Sequence, residues 1–129
     1  MNLMSPESIL LLLVGFQVKH FICDGVLQSA SMVQAKGHYG RPLGMAHAGV
    51  HGAGTLVLGL IFTVNLPLAM LLAAVDMVIH YHIDFGKETV VRLQGWTTKD
   101  AKFWWALSAD QALHQLTYIA LVWLLIKNA

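Results

Sequence analysis

The chain has 129 residues, of which 57% are hydrophobic and only 12% charged, with a formal net charge of +1 and a mean hydropathy of +0.61. Charged residues make up about a quarter of an ordinary soluble domain, so the composition points to a membrane protein and excludes a disordered chain. It leaves no basic footprint for nucleic acid, and the single cysteine, Cys23, allows neither an intramolecular disulfide nor a cysteine-based zinc finger. Histidine is the unusual entry in the composition: seven, against seven Asp+Glu and eight Lys+Arg.

The length suits a single domain over 1–129. Residues 1–13 contain no Lys or Arg, and Lys19 and His20 follow the apolar run instead of a cleavage-type site, so the start reads as a retained helix and not a signal peptide. Ser5, Pro6 and Glu7 form a helix start, with Ser5 as N-cap and an acid where the dipole favours it. A first helix over about 6–35 spans ~45 Å, longer than the ~30 Å hydrocarbon core, and is expected to protrude at its C-terminal end.

No Asp, Glu, Lys or Arg occurs in the 34 residues between Arg41 and Asp76, well beyond the ~20 that one span requires. Asn65, Leu66 and Pro67 break this run, giving a hairpin of helices over about 42–64 and 66–94, the second stopped at Gly95. A fourth helix over about 97–127 begins at Thr97 and Asp100, spaced as a capping box. Trp104 and Trp105 stand about one bilayer thickness from Trp123 at ~1.5 Å per residue, as belts at the two interfaces. The expected fold is all-α: a four-helix transmembrane bundle. Lys36, Arg41, Lys87, Arg92, Lys99 and Lys102, six of the eight Lys+Arg, fall on one side, which the positive-inside rule makes cytoplasmic and which puts both termini outside.

Each expected helix carries polar residues spaced i, i+4 on one face: His20 and Asp24, continued by Gln28; His47 and His51; Asp76, His80 and Asp84, followed by Lys87; and Asp110 and His114 with Gln111 beside them. Counted from the cytoplasmic ends, His51, His80, Asp84, Asp110 and His114 fall within roughly 5–15 Å of that interface, with His20 and Asp24 in the same inner half. The outer half, over 9–13, 55–63, 67–74 and 118–126, reads as almost purely apolar. An Asp or Lys in mid-membrane costs about 2.5–3.5 kcal/mol, so such residues face the interior and either pair or carry function. Imidazole nitrogen with carboxylate oxygen is a ligand set for zinc, manganese, iron or magnesium. The bland alternative for any one His-x3-Asp pair is a hydrogen bond satisfying itself; four helices converging at one depth argue for a site. His38 in a polar loop and His82, about 200° round the helix from His80, read as solvent-facing or interfacial. Lys19 points away from Asp24, with Asp76 as a candidate partner, and Cys23 reads as a packed thiol.

These ordered motifs, His20-x3-Asp24-x3-Gln28, a His-bearing second helix, His80-Tyr81-x2-Asp84-x2-Lys87 and Asp110-Gln111-x2-His114, resemble DUF3307, a domain of unknown function of small four-helix membrane proteins from bacteria and their phages. The resemblance covers nearly the whole chain. It implies the bacterial cytoplasmic membrane and marks as characteristic positions His20, Asp24, one of His47 or His51, His80, Asp84, Lys87, Asp110, Gln111 and His114; it implies no activity.

Several functions fit these residues. In a metal-dependent hydrolase or transferase acting on a lipid or phosphate-bearing substrate, His20, Asp24, His47, His51, His80, Asp84, Asp110 and His114 hold one or two divalent ions. Lys87, Asp84 and Gln111 then act on the substrate. A proton or cation relay would use the same chain of groups, although beyond it only Thr63, Asn65 and Thr117 offer polarity. A haem subunit would need two facing His and leaves the carboxylates unexplained. The last reading is a structural subunit of a membrane complex or a homo-oligomer, with the polar groups joining helices or protomers.

Overall fold

The computed structural model describes residues 5–62 and 65–128. Among these, all regular structure is helical: α1 (Pro6–Phe21), a π-helical turn (Ile22–Val26), α2 (Ala30–Lys36), α3 (Pro42–Phe62), α4 (Leu66–Gln94) and α5 (Ala101–Asn128). Three helices are long and apolar enough to cross a membrane: Pro6–Val26, Pro42–Phe62 and Leu66–Gln94.

The first helix departs from the expected rod. The Ser5 hydroxyl caps it by accepting from the Ser8 amide at 3.2 Å, but at Ile22 the backbone pairing widens to i+5, with Leu27 N–H donating to the Ile22 carbonyl at 2.9 Å. Gly25 weakens the helix here, and Ser29, with its side chain accepting from the Met32 amide at 3.2 Å, starts a new one. α2 packs back on α3 and α4, and Arg92 donates to the Gly37 carbonyl at 3.1 Å to hold the connection down.

α4 has the expected bounds. The Asn65 side chain accepts from the Leu68 amide at 3.0 Å, Pro67 sits in the first turn, and Gly95, at φ 64°, closes the end in the left-handed conformation while Trp96 N–H reaches back to the Val91 carbonyl. α3 is described to Phe62; Thr63 and Val64, where the expected helix ended, lie outside the described residues. α5 starts at Ala101 and not at Thr97. Thr97 and Asp100 do pair, the Asp100 carboxylate accepting from the Thr97 amide at 2.7 Å, but the Asp100 amide bonds the Thr97 carbonyl, which closes a separate turn before the helix.

α3 packs on both α1 and α4, and α5 on both α4 and α1. Along the α3–α4 seam, a Cβ on Gly59 would stand 2.9 Å from the Ala69 Cβ, and one on Gly52 3.2 Å from the Ala73 carbonyl oxygen. Small residues thus let these two backbones approach. One half of the interior is an apolar core of Leu12, Phe16, Leu68, Leu72, Tyr118, Leu121, Val122 and Leu125. The other half is polar. Outside, Leu10, Leu11, Val14, Val57, Met70, Leu71, Leu116, Ile119 and three of the four tryptophans, Trp104, Trp105 and Trp123, are exposed. Charged and imidazole groups inside with large apolar groups outside invert a soluble protein's arrangement.

Candidate metal centre

The i, i+4 spacing on α3 and α4 turns His47, His51, His80 and Asp84 inward, all buried. Asp24, which reaches the same point, lies in the π turn; single π turns recur at functional sites. Asp24 Oδ1 stands 3.0 Å from His47 Nε2 and 2.9 Å from His51 Nε2, with His80 Nε2 at 3.9 Å. His80 Nε2 is also 3.2 Å from His47 Nε2 and 3.2 Å from Asp84 Oδ2, and His114 Nε2 lies 3.1 Å from Asp84 Oδ1. Two groups result, Asp24/His47/His51/His80 and His80/Asp84/His114, each with its ligand atoms within 4.8 Å of one another and sharing His80. The rings of His51, His80 and His114 stack, with centroids 3.5 and 4.1 Å apart, which aligns their edges on the two carboxylates.

His20 and Gln111 border these groups. Gln111 Nε2 donates to Asp110 Oδ2 at 3.0 Å, so its carbonyl oxygen faces His20 Nε2 at 2.9 Å. A carbonyl only accepts, which places the His20 proton on Nε2. That N–H also faces Asp24 Oδ2 at 3.1 Å, and His20 Nδ1 is left to accept from the Tyr118 hydroxyl at 2.7 Å. His20 thereby braces the Asp24 carboxylate from behind, as carboxylates at metal sites commonly are. Asp110 Oδ1 is 3.5 Å from His114 Nε2.

Charge balance inside is specific. Lys19 Nζ pairs with Asp76 Oδ2 at 2.6 Å, and Thr55 donates to the same oxygen at 2.5 Å. Lys36 Nζ pairs with Asp84 Oδ2 at 2.8 Å, and Lys87 pairs with Glu88. Asp24 and Asp110 have no Lys or Arg partner among these ion pairs. A cavity of about 380 Å³ opens onto the cluster between His20, Asp24, Lys36, Asp84, Lys87 and Asp110.

Residues 10–129 match the family described as "Protein of unknown function (DUF3307)". The chain belongs to that family. No curated protein and no solved structure matches it.

Both His47 and His51 reach the cluster, and Lys19 does meet Asp76. That pair stands apart from the two His/Asp groups, in keeping with the absence of Asp76 from the characteristic positions. His38 and His82 are exposed, His82 against the Tyr39 hydroxyl at 3.0 Å. Three participants were not foreseen from the sequence. Lys36 counted as a loop charge, yet α2 folds it inward. Thr55 and Tyr118 sat in stretches read as apolar, although each lies four residues after a histidine, His51 and His114, on the polar face of its helix.

Proposed function

We propose that this chain is a multi-pass four-helix membrane protein, with α1, α3, α4 and α5 as its spans and both termini outside, that holds one or two divalent metal ions near the cytoplasmic face. The observation that carries the reading is the convergence of Asp24, His47, His51 and His80, with His80 shared by Asp84 and His114. Ligands about 2.0–2.1 Å from a tetrahedral ion stand about 3.3 Å from each other; separations within the Asp24/His47/His51/His80 group run from 2.9 to 3.9 Å. Charge supports it too, since Asp24 and Asp110 leave two negative charges that a dication neutralises. In this reading His20 and Asp110 brace the ligands instead of binding directly.

Such an ion supplies a Lewis acid and an activated water, the chemistry of a hydrolase or transferase. Lys87 and Lys36, on the cavity wall, hold an anionic group of the substrate, while Gln111 fixes His20. Transport is less well supported: the polar chain from Asp24 through His20, Tyr118 and Lys19 reaches Asp76 and Thr55, and beyond it lie Leu12, Phe16, Leu72, Leu121 and Leu125.

The test is elemental analysis of purified protein in nanodiscs after supplementation with zinc, manganese, iron or magnesium. One or two equivalents are expected in the wild type and fewer in His80→Ala, which removes the shared ligand. A wild type without a stoichiometric divalent ion overturns the proposal.

A further inference from the structure

A second cavity, of about 670 Å³, runs between α4 and α5 and opens on the outside of the molecule. Its walls are apolar, with Ile79, Ile83 and Val90 on one side, Ala109 and Leu113 on the other, and Gly86 between. From Val78 to Val90 it follows α4 for ~18 Å at 1.5 Å per residue, the scale of one acyl chain. Lys87 and Asp110 line this groove and also the polar cavity over the His/Asp cluster. An apolar channel facing the bilayer therefore meets a polar site at these two residues.

We infer that the groove seats one acyl chain of a phosphate-bearing lipid whose headgroup passes between Lys87 and Asp110 to the cluster. The inference rests on the metal-centre reading and names its substrate class. A soluble phosphate ester has no use for an apolar groove open along the outside of α4 and α5, whereas a lipid enters sideways without leaving the bilayer. The phosphate is specified by Lys87 and Lys36, which line the cavity from two elements, together with the ion that the metal-centre reading supplies. Lys87 and Glu88 are part-buried, with side chains 17% and 20% accessible, and binding a headgroup has Lys87 exchange Glu88 for the phosphate.

Gly86 provides the test. A Cβ there meets nothing within 4 Å, so Gly86→Leu fills the groove without disturbing a packed interface, and Ala109→Leu does so from the exposed side of α5. Wild type and both variants are placed in phosphatidylcholine nanodiscs containing a small fraction of phosphatidic acid with a photoreactive group in its acyl chain. Crosslinks are mapped by mass spectrometry. Labelling is expected to concentrate on α4 and α5 around the groove, to fall several-fold in either variant, and to be weaker with diacylglycerol carrying the same group. Uniform labelling of every exposed helix face overturns the inference. So does inorganic phosphate binding equally to wild type and Gly86→Leu with no difference between the two lipid probes, which assigns the site to a soluble phosphate. Metal content of the same samples separates the two readings: a stoichiometric ion with uniform labelling rejects the groove alone, and groove labelling without an ion rejects the metal centre alone. Retained metal in the variants shows that they are folded.

Discussion

The most exposed test of the interior is a single pair. Lys19 and Asp76, with side chains 5% and 1% accessible, are tolerable in an apolar surrounding because each has the other. Removing one partner from a buried pair costs about 3–5 kcal/mol, while replacing both with apolar groups is close to neutral. Lys19→Met is therefore expected to destabilise by that amount in detergent unfolding, and Lys19→Met/Asp76→Leu to recover most of it; an unaffected single variant would contradict the pairing. Tyr118→Phe tests the bracing of Asp24 through His20. It keeps the ring stacked 5.0 Å from Phe16 but removes the hydroxyl that holds His20 Nδ1. Chelator competition should show metal affinity reduced by about 10-fold, at the low end of the effect of orienting partners, with stoichiometry unchanged. At this scale the sequence was informative where charged and imidazole groups repeated at helical spacing. Thr55 and Tyr118 continue the same spacing, four residues after His51 and His114, but a single hydroxyl at the head of an otherwise apolar stretch did not set them apart from ordinary span residues.

At the scale of elements, the π turn is where Asp24 enters the site. Deleting Ile22, exposed at 40%, should restore an α-helix, leave His20 and Asp24 on one face as an i, i+3 pair, and shift the Asp24 carboxylate away from His47 and His51. Circular dichroism is expected to show the helix content kept while metal analysis shows the ion lost. Retention of the ion would remove any role for the turn. The α3–α4 seam depends on absence of side chain: Gly59→Leu meets the Ala69 Cα at 3.2 Å already at its Cβ, and overpacking of this kind costs about 1–3 kcal/mol, measurable as a lower unfolding midpoint. Ends of α4 were legible because Asn65, Pro67 and Gly95 have dedicated local roles. The break in the first helix was not, because hydrophobic length is blind to one inserted residue, and Gly25 with Ser29 is an ordinary pair inside an apolar run.

For the whole molecule, the apolar exterior fits a membrane, and the proposed orientation rests on the positive charges left at the surface. Lys36 is turned inward to Asp84, so Arg41, Lys99 and Lys102, all exposed, carry more of that asymmetry. Cysteines introduced at Thr98 and at His38 should react with an impermeant maleimide only from the cytoplasmic side, and one at Asn128 only from outside; the native Cys23 is buried. Opposite labelling would reverse the orientation and place the metal centre near the outer face.

Composition, spacing and end signals sufficed for an all-helical chain, spans long enough to cross a bilayer, and the identity of most of the groups that meet inside, because these depend on interactions within a few residues along one helix. Which carboxylate takes which cation, that both His47 and His51 meet Asp24, and that Lys36 belongs to the interior were decided only when helices distant in sequence packed together. Those pairings involve the π turn that carries Asp24 and glycine-set distances between backbones, and neither leaves a periodic mark in the sequence.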